Sequence, residues 1–262
     1  MQRLFILAPV FNEAPNMAAL LEAFRGLQEE LAGRFALRFT LVDDGSVDGT
    51  EEAARAQAGA LDLVVLRHEG NQGPGAAFAT GFEYLARNMN ADDWVITMEG
   101  DNTSRHELIK QMLTRAGEGF DAVFASPYMY GGGITQTSFL RKLLSSGANL
   151  IVKDLLDIQG ILTVSSFFRL YRGATLLRMQ SVFGPGIVER RGFESMVEMV
   201  MKMVMMRLAI SEVAMQLDSS RRKGKSKMKI MRTIFGYLAL WRCKAVWSAR
   251  MAAVTVPAPR SR

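Results

Sequence analysis

Over residues 3–125 short apolar runs alternate with stretches of helical period, and this alternation constrains the fold more than any other feature of the chain. Apolar runs at 3–8, 38–43, 62–67, 93–98 and 121–125 have the length of buried strands. The stretches between them, 14–32, 49–58, 75–90 and 105–117, carry apolar residues at helical spacing. Parallel strands need a crossover long enough to hold a helix, so the rhythm predicts an α/β fold with a Rossmann-like, mostly parallel sheet flanked by helices. Folds of this kind bind ligands beyond the carboxyl ends of their strands. Two of those ends are acidic: Val42-Asp43-Asp44-Gly45-Ser46 and Met98-Glu99-Gly100-Asp101-Asn102-Thr103-Ser104. Carboxylates gathered at one sheet edge repel one another unless a cation or a ligand donor compensates them, which points to a metal-dependent nucleotide site.

The second half reads less regularly. Gly131-Gly132-Gly133 opens a loop, followed by a predicted helix near 138–153, an apolar segment at 161–171, a helix near 192–209 and a strand-like run from Ile210 to Leu217. A basic loop, Ser219 to Lys227, leads into a last amphipathic helix over about 228–253. This divides the chain into a body at 1–217 and a C-terminal extension at 218–262 that is not a domain of its own. Charge divides in the same place: residues 218–262 hold 12 Lys and Arg against one acid, whereas residues 1–217 hold 20 against 25. A basic tail on a mildly acidic body calls for an anionic partner.

One cysteine excludes a disulfide framework and a Cys-based zinc cluster, and two histidines exclude a His-rich centre. Oxygen ligands and a hard divalent cation, magnesium or manganese, are the expectation. The start of the chain lacks a signal-peptide pattern, and its most apolar late segments are broken by charges such as Glu198, Lys202, Arg242 and Lys244. The expected location is therefore cytoplasmic, as a peripheral protein on the inner face of a membrane.

Ala8-Pro9-Val10-Phe11-Asn12-Glu13 at the end of strand one, joined to Asp43-Asp44-Gly45-Ser46 at the end of strand two, resembles glycosyltransferase family 2 and its GT-A fold. Glu99-Gly100-Asp101 stands where that family has its Asp-x-Asp signature, with Glu in place of the first Asp. The resemblance implies a donor site for a GDP- or UDP-linked sugar formed by Pro9, Phe11, Glu13, Leu41, Asp43, Asp44, Glu99, Gly100 and Asp101. Asp101 is the expected metal ligand, ahead of Glu99 and Thr103. The segment Asn71-Gln72-Gly73-Pro74-Gly75-Ala76-Ala77 is similar to a family segment that packs beside the donor pocket.

Beyond residue 126 the resemblance narrows to the dolichol-phosphate mannosyltransferase-like branch, carried by Arg141-Lys142-Leu143-Leu144-Ser145, Ser165 to Tyr171, Gly192-Phe193-Glu194 and Arg221 to Lys227. It implies that Arg141 and Ser145 hold an acceptor phosphate while Arg221 and Lys227 close over the donor diphosphate, making Asp101, Arg221 and Lys227 the catalytic set. Two departures bear on the acceptor. Pro127 stands where an Arg is usual, with Arg169 offered as its replacement, and Phe167 stands where Gly is common. The expected activity is inverting, metal-dependent transfer of a hexose onto a polyprenyl phosphate. The alternatives are a soluble acceptor, which would need a carboxylate base such as Glu194, and a catalytically impaired sugar-nucleotide binder. Expected partners are the nucleotide sugar, the lipid-linked phosphate, an anionic membrane surface and a second copy of the chain, with no nucleic acid.

Overall fold

A computed structural model describes residues 1–103, 105–135, 153, 156, 158–218 and 230–254. The alternating first half folds as its rhythm requires: β1 (Gln2–Val10), α1 (Ala14–Glu30), β2 (Phe35–Asp43), α2 (Thr50–Gln57), β3 (Leu63–Arg67), α3 (Pro74–Asn88), β4 (Trp94–Thr97), α4 (Leu108–Gly117) and β5 (Ala122–Ser126). The second half adds β6 (Gly133–Thr135), β7 (Arg169–Arg172), α5 (Gly173–Phe183), α6 (Ser195–Met205), β8 (Ile210–Ala214), β9 (Gln216–Asp218) and α7 (Ile230–Val254).

Seven strands form one sheet in the order β3-β2-β1-β4-β7-β5-β8. Every pairing in it is parallel except those of β7, which runs antiparallel between β4 and β5. The order places β1 between β2 and β4, so the two acidic strand ends flank a common strand. The registers Val10↔Asp43 and Leu7↔Thr97 bring both to the same edge. One core layer lies under α1, α2 and α4; the other lies under α3, α5 and α6 and takes in Leu240 and Trp247 of α7.

Several expectations from the second half are corrected. The apolar segment 161–171 yields only a four-residue strand, inserted antiparallel. Residues 173–183, for which no element was foreseen, form a helix that buries Thr175, Leu176, Met179 and Phe183. The expected strand 210–217 is two strands, one in the main sheet and one pairing in parallel with β6. That small ladder sets Thr135 opposite Asp218. The predicted helix at 138–153, apart from residue 153, and the basic loop 219–227 lie outside the described residues.

Candidate active site

The turn after β1 and the turn after β2 are stitched into one surface. Asn12, held at φ 51°, donates its backbone N–H to Ser46 Oγ at 2.8 Å, and its own Oδ1 accepts from Val47 N at 3.0 Å. Glu13 N donates to Thr50 Oγ1 at 2.9 Å, and Ala14 N donates to Asp48 Oδ2 at 3.1 Å. Asn12, Ser46, Asp48 and Thr50 were not among the expected site residues. Asn12 and Ser46 stand inside the two motifs, and their task is to lock one motif to the other.

The two adjacent aspartates of the second motif do different work. Asp44 is a loop clamp: its Oδ1 accepts from Gln72 N at 2.9 Å and pairs with His68 Nδ1 at 2.7 Å, while Oδ2 accepts from Gly73 N at 2.7 Å. This corrects the expectation that it faces the donor. Asp43 is fully buried, and its Oδ1 accepts from Ser46 N at 2.8 Å. Its Oδ2 has no hydrogen-bond partner, the Arg67 guanidinium standing 4.0 Å away. A buried carboxylate oxygen left in this state is costly unless a ligand donor meets it. Leu41, two residues earlier, is a second correction. It is wholly buried in the core layer with Phe39 and Ala8, so it supports the strand from beneath and offers nothing to a nucleoside. Pro9 and Phe11, by contrast, remain partly exposed at the edge, and Glu13 Oε2 accepts from Asn16 Nδ2.

On the other side of β1 the loop after β4 is pressed against the same two residues. A Cβ on Gly100 would lie 2.4 Å from Val10 Cγ1 and 2.7 Å from the Pro9 carbonyl oxygen, so only glycine lets this loop close on β1. Asp44 N reaches the Val10 carbonyl from the β2 side at 2.9 Å. Val10 is thus touched from both flanks, so the β2 and β4 loops that carry Asp43 and Asp101 both close on the end of β1. Asp101 Oδ1 accepts from Thr103 N at 3.1 Å and from Thr103 Oγ1 at 2.5 Å, bonds that fix the carboxylate's orientation and give Thr103 an orienting role. Glu99 reaches sideways, its Oε1 accepting from Phe167 N at 3.3 Å.

The glycines at 73 and 75 behave as packing residues. Gly73 has φ 102°, and a Cβ there would lie 2.3 Å from the Arg191 carbonyl oxygen; one on Gly75 would lie 1.9 Å from that of Arg190. Phe167, bulky where Gly is usual in the family, is absorbed by stacking on Phe193 at 5.6 Å and meeting Phe78 edge-on at 5.0 Å. Arg169 is a third correction. It is completely buried on β7, donating to the carbonyls of Val164 at 2.7 Å and Met196 at 3.0 Å and lying over the Phe124 ring, so it is not placed to replace a phosphate-binding Arg. Arg141, Ser145, Arg221 and Lys227 fall outside the described residues.

Among the described residues no three of His, Cys, Asp and Glu assemble into a self-sufficient metal cage. A cation that arrives with a diphosphate needs less, because one or two carboxylates suffice when substrate oxygens complete the shell. Asp101, oriented by Thr103, fits that kind of site, whereas the Glu99 carboxylate is turned toward Phe167 N.

The geometry defines a class: a mostly parallel α/β protein whose carboxyl edge is acidic, pinned by glycine, and holds a buried Asp43 oxygen that makes no hydrogen bond. A model of glycosyl transferase family 2 matches residues 5–176, and the chain belongs to that family of glycosyltransferases. It is 26% identical over 230 residues to the polyprenol monophosphomannose synthase of Mycolicibacterium smegmatis, covering 87% of this chain and 81% of that one. It is 28% identical over 244 residues to the dolichol-phosphate mannosyltransferase of Pyrococcus furiosus, covering 89% of this chain and 61% of the other's length. Among solved structures, the mannosyl-3-phosphoglycerate synthase of Rubrobacter xylanophilus matches with a TM-score of 0.66 at 15% identity, over 95% of this chain and 76% of that one. The glucosyl-3-phosphoglycerate synthase of Mycobacterium tuberculosis, solved with Mn2+, UDP-glucose and glycerol 3-phosphate, matches with a TM-score of 0.58 at 15% identity, over 98% and 82%. These structural likenesses establish the shared GT-A fold.

Proposed function

We propose that the protein is an inverting, metal-dependent glycosyltransferase that moves a hexose from a nucleoside-diphosphate sugar to a polyprenyl phosphate. The observation that carries the donor half is the buried Oδ2 of Asp43, which makes no hydrogen bond and meets only the Arg67 guanidinium at 4.0 Å, in a protein whose glycine-pinned β4 loop carries Asp101. Asp43 accepts an N–H of the base, and Pro9, Phe11 and Glu13 border the nucleoside. Asp101 would hold a divalent cation whose chemistry, when bound, is neutralisation of the departing diphosphate.

The acceptor half is supported by likeness over most of the chain to two enzymes named for polyprenol and dolichol phosphate mannose. A phosphate acceptor is already anionic at neutral pH and needs no general base, and no His stands in the motifs. Glu194, the loose candidate for a base, caps α6, packed beside Gly192 and Gly236. Arg141 and Ser145 are proposed for the acceptor phosphate, and Arg221 and Lys227 for the donor diphosphate. Rate enhancement then rests on alignment of the acceptor oxygen with the anomeric carbon and on charge stabilisation.

The test is a transfer assay with GDP- and UDP-linked hexoses, with and without manganese, using a short polyprenyl phosphate and water-soluble phosphates as acceptors. The expected result is lipid-dependent, manganese-dependent transfer that falls about 10²- to 10³-fold in Asp101→Ala, with the circular dichroism of the fold unchanged. Wild-type turnover in that variant refutes the donor assignment, and transfer confined to soluble acceptors refutes the lipid one.

A further inference from the structure

We propose that the seating of α7 and the occupancy of the nucleotide site are coupled through residues 189–191, so that a nucleoside diphosphate binds most tightly with α7 in place and in turn holds α7 down. The site concerned is the one at Asp43, so this coupling presupposes that Asp43 receives the donor base. Residues 189–191 lie between α5 and α6 and are gripped from two sides. On the outer side Glu198 accepts from the amides of Glu189 at 2.9 Å and Arg190 at 2.8 Å, and the wholly buried Lys202 fixes that carboxylate at 2.5 Å. α7 completes the grip. Trp247 Nε1 donates to Glu189 Oε1 at 3.2 Å, Arg250 Nη1 donates to the same oxygen at 2.7 Å, and Arg190 Nη2 reaches the Ala239 carbonyl at 3.4 Å and Cys243 Sγ at 3.1 Å.

On the inner side backbone meets backbone. Gly75 N donates to the Arg191 carbonyl at 2.8 Å, and the clearances at Gly73 and Gly75 leave no room for a Cβ against the carbonyls of Arg191 and Arg190. Gly73 N and Gln72 N, next along that loop, are the donors that Asp44 clamps. The loop also abuts the turn that follows Asp43 and Asp44, since a Cβ on Gly45 would lie 2.4 Å from the Gly70 carbonyl carbon. His68 N donates to the Asp43 carbonyl at 2.9 Å. A shift of residues 189–191 is therefore passed on through tight backbone contacts and is not taken up by long side chains.

Residues 189–191 are thus the element that both ends share. With α7 seated, Glu189 and Arg190 are held in the position that the glycine loop requires; with α7 loosened, Glu189 loses two of its donors and Arg190 loses its contacts with Ala239 and Cys243. A nucleotide that binds the first arrangement better than the second must favour the seated helix by the same factor, because coupling between two sites is reciprocal. Trp247 and Arg250 are positioning residues in this scheme. Neither belongs to the donor site, and each acts on it through Glu189.

Amide hydrogen exchange and calorimetry on the full chain test the coupling from both ends. In the wild-type protein, manganese with UDP or GDP is expected to slow exchange over residues 240–251 by about fivefold or more, the low end of ordinary coupling between sites. Trp247→Phe with Arg250→Met removes both donors from Glu189 and keeps a buried ring. This double variant is expected to speed exchange of the Gln72, Gly73 and Gly75 amides and to weaken nucleotide binding by about the same factor. Leu27→Val, in the opposite core layer, is the control: it lowers the thermal midpoint and leaves nucleotide affinity unchanged. Nucleotide bound with exchange in α7 unchanged, exchange at 72–75 or affinity unaltered in the double variant, or an equal loss of affinity in Leu27→Val overturns the coupling alone. Failure of the wild-type chain to bind either nucleotide overturns the donor reading and the coupling with it.

Discussion

Two regions of this molecule bury carboxylates, and they treat them in opposite ways. Behind α7, Glu198 lies wholly inside the protein but is saturated: Lys202 Nζ approaches its Oε1 at 2.5 Å, and the amides of Glu189 and Arg190 donate to its two oxygens. Lys202 in turn donates to the Ile187 carbonyl at 2.6 Å and sits over the rings of Phe183 and Trp247. At the carboxyl edge of the sheet, Asp43 is equally buried and keeps one oxygen without a hydrogen bond. A saturated charge is explained by the fold alone, and an unsaturated one at the carboxyl edge of the sheet is a candidate for ligand binding. Asp43 and Asp44 repeat the contrast within two residues.

The comparison is broken or sharpened by removing one partner at a time. Lys202→Met strands Glu198 as an uncompensated buried charge and should destabilise the protein by about 3–5 kcal/mol, whereas adding Glu198→Gln, which removes the charge and keeps an acceptor for the 189–190 amides, should restore part of that loss. Urea unfolding of the single and double variants measures both. Asp44→Asn withdraws acceptor capacity from three donors in the 68–73 loop, with an expected loss of about 1–3 kcal/mol. Asp43→Asn keeps the oxygen that accepts from Ser46 N and turns an N–H toward the base. Donor affinity should fall about tenfold, roughly 1.4 kcal/mol, with the thermal midpoint unchanged or raised. A stability loss at Asp43 and a binding loss at Asp44 would invert the assignment.

The smallest effect concerns pH. Burial pushes Glu198 above the ordinary carboxylate range despite Lys202, so its cost is present at neutral pH and relieved as pH falls through its raised value. Burial also opposes ionisation of Glu189, but Lys202, Arg250 and Trp247 outweigh it and hold that carboxyl below its usual range. Its contribution is therefore present above the ordinary value and lost as pH falls through the depressed one. Glu189→Gln should lower the thermal midpoint at neutral pH, and the gap from wild type should close on acidification.

The first half of the fold is legible because each of β1 to β4 is followed by a helix that leads to the next strand, so one periodic signal predicts both. It fails at β7, whose four residues Arg-Leu-Tyr-Arg include a buried charge and run against their neighbours. Nothing local in Arg169 tells a core guanidinium held by two carbonyls from a phosphate ligand. The α5 helix is hidden for a related reason, since Leu176, Met179 and Phe183 have helical spacing but follow so directly on the strand that Gly173 alone marks the change. At the site, motif identity announced Asp43 and Asp101. That Asp44 clamps the 72–73 amides and Leu41 faces the core depends on strand pairing and long-range contacts, which no single segment contains.

The most direct trial is a crystal structure with manganese and a nucleoside diphosphate bound. The base should donate to Asp43 Oδ2 beside Phe11, and the metal should bridge Asp101 and the diphosphate. A nucleotide bound elsewhere, with residues 9–13, 43 and 101 left empty, would contradict the account.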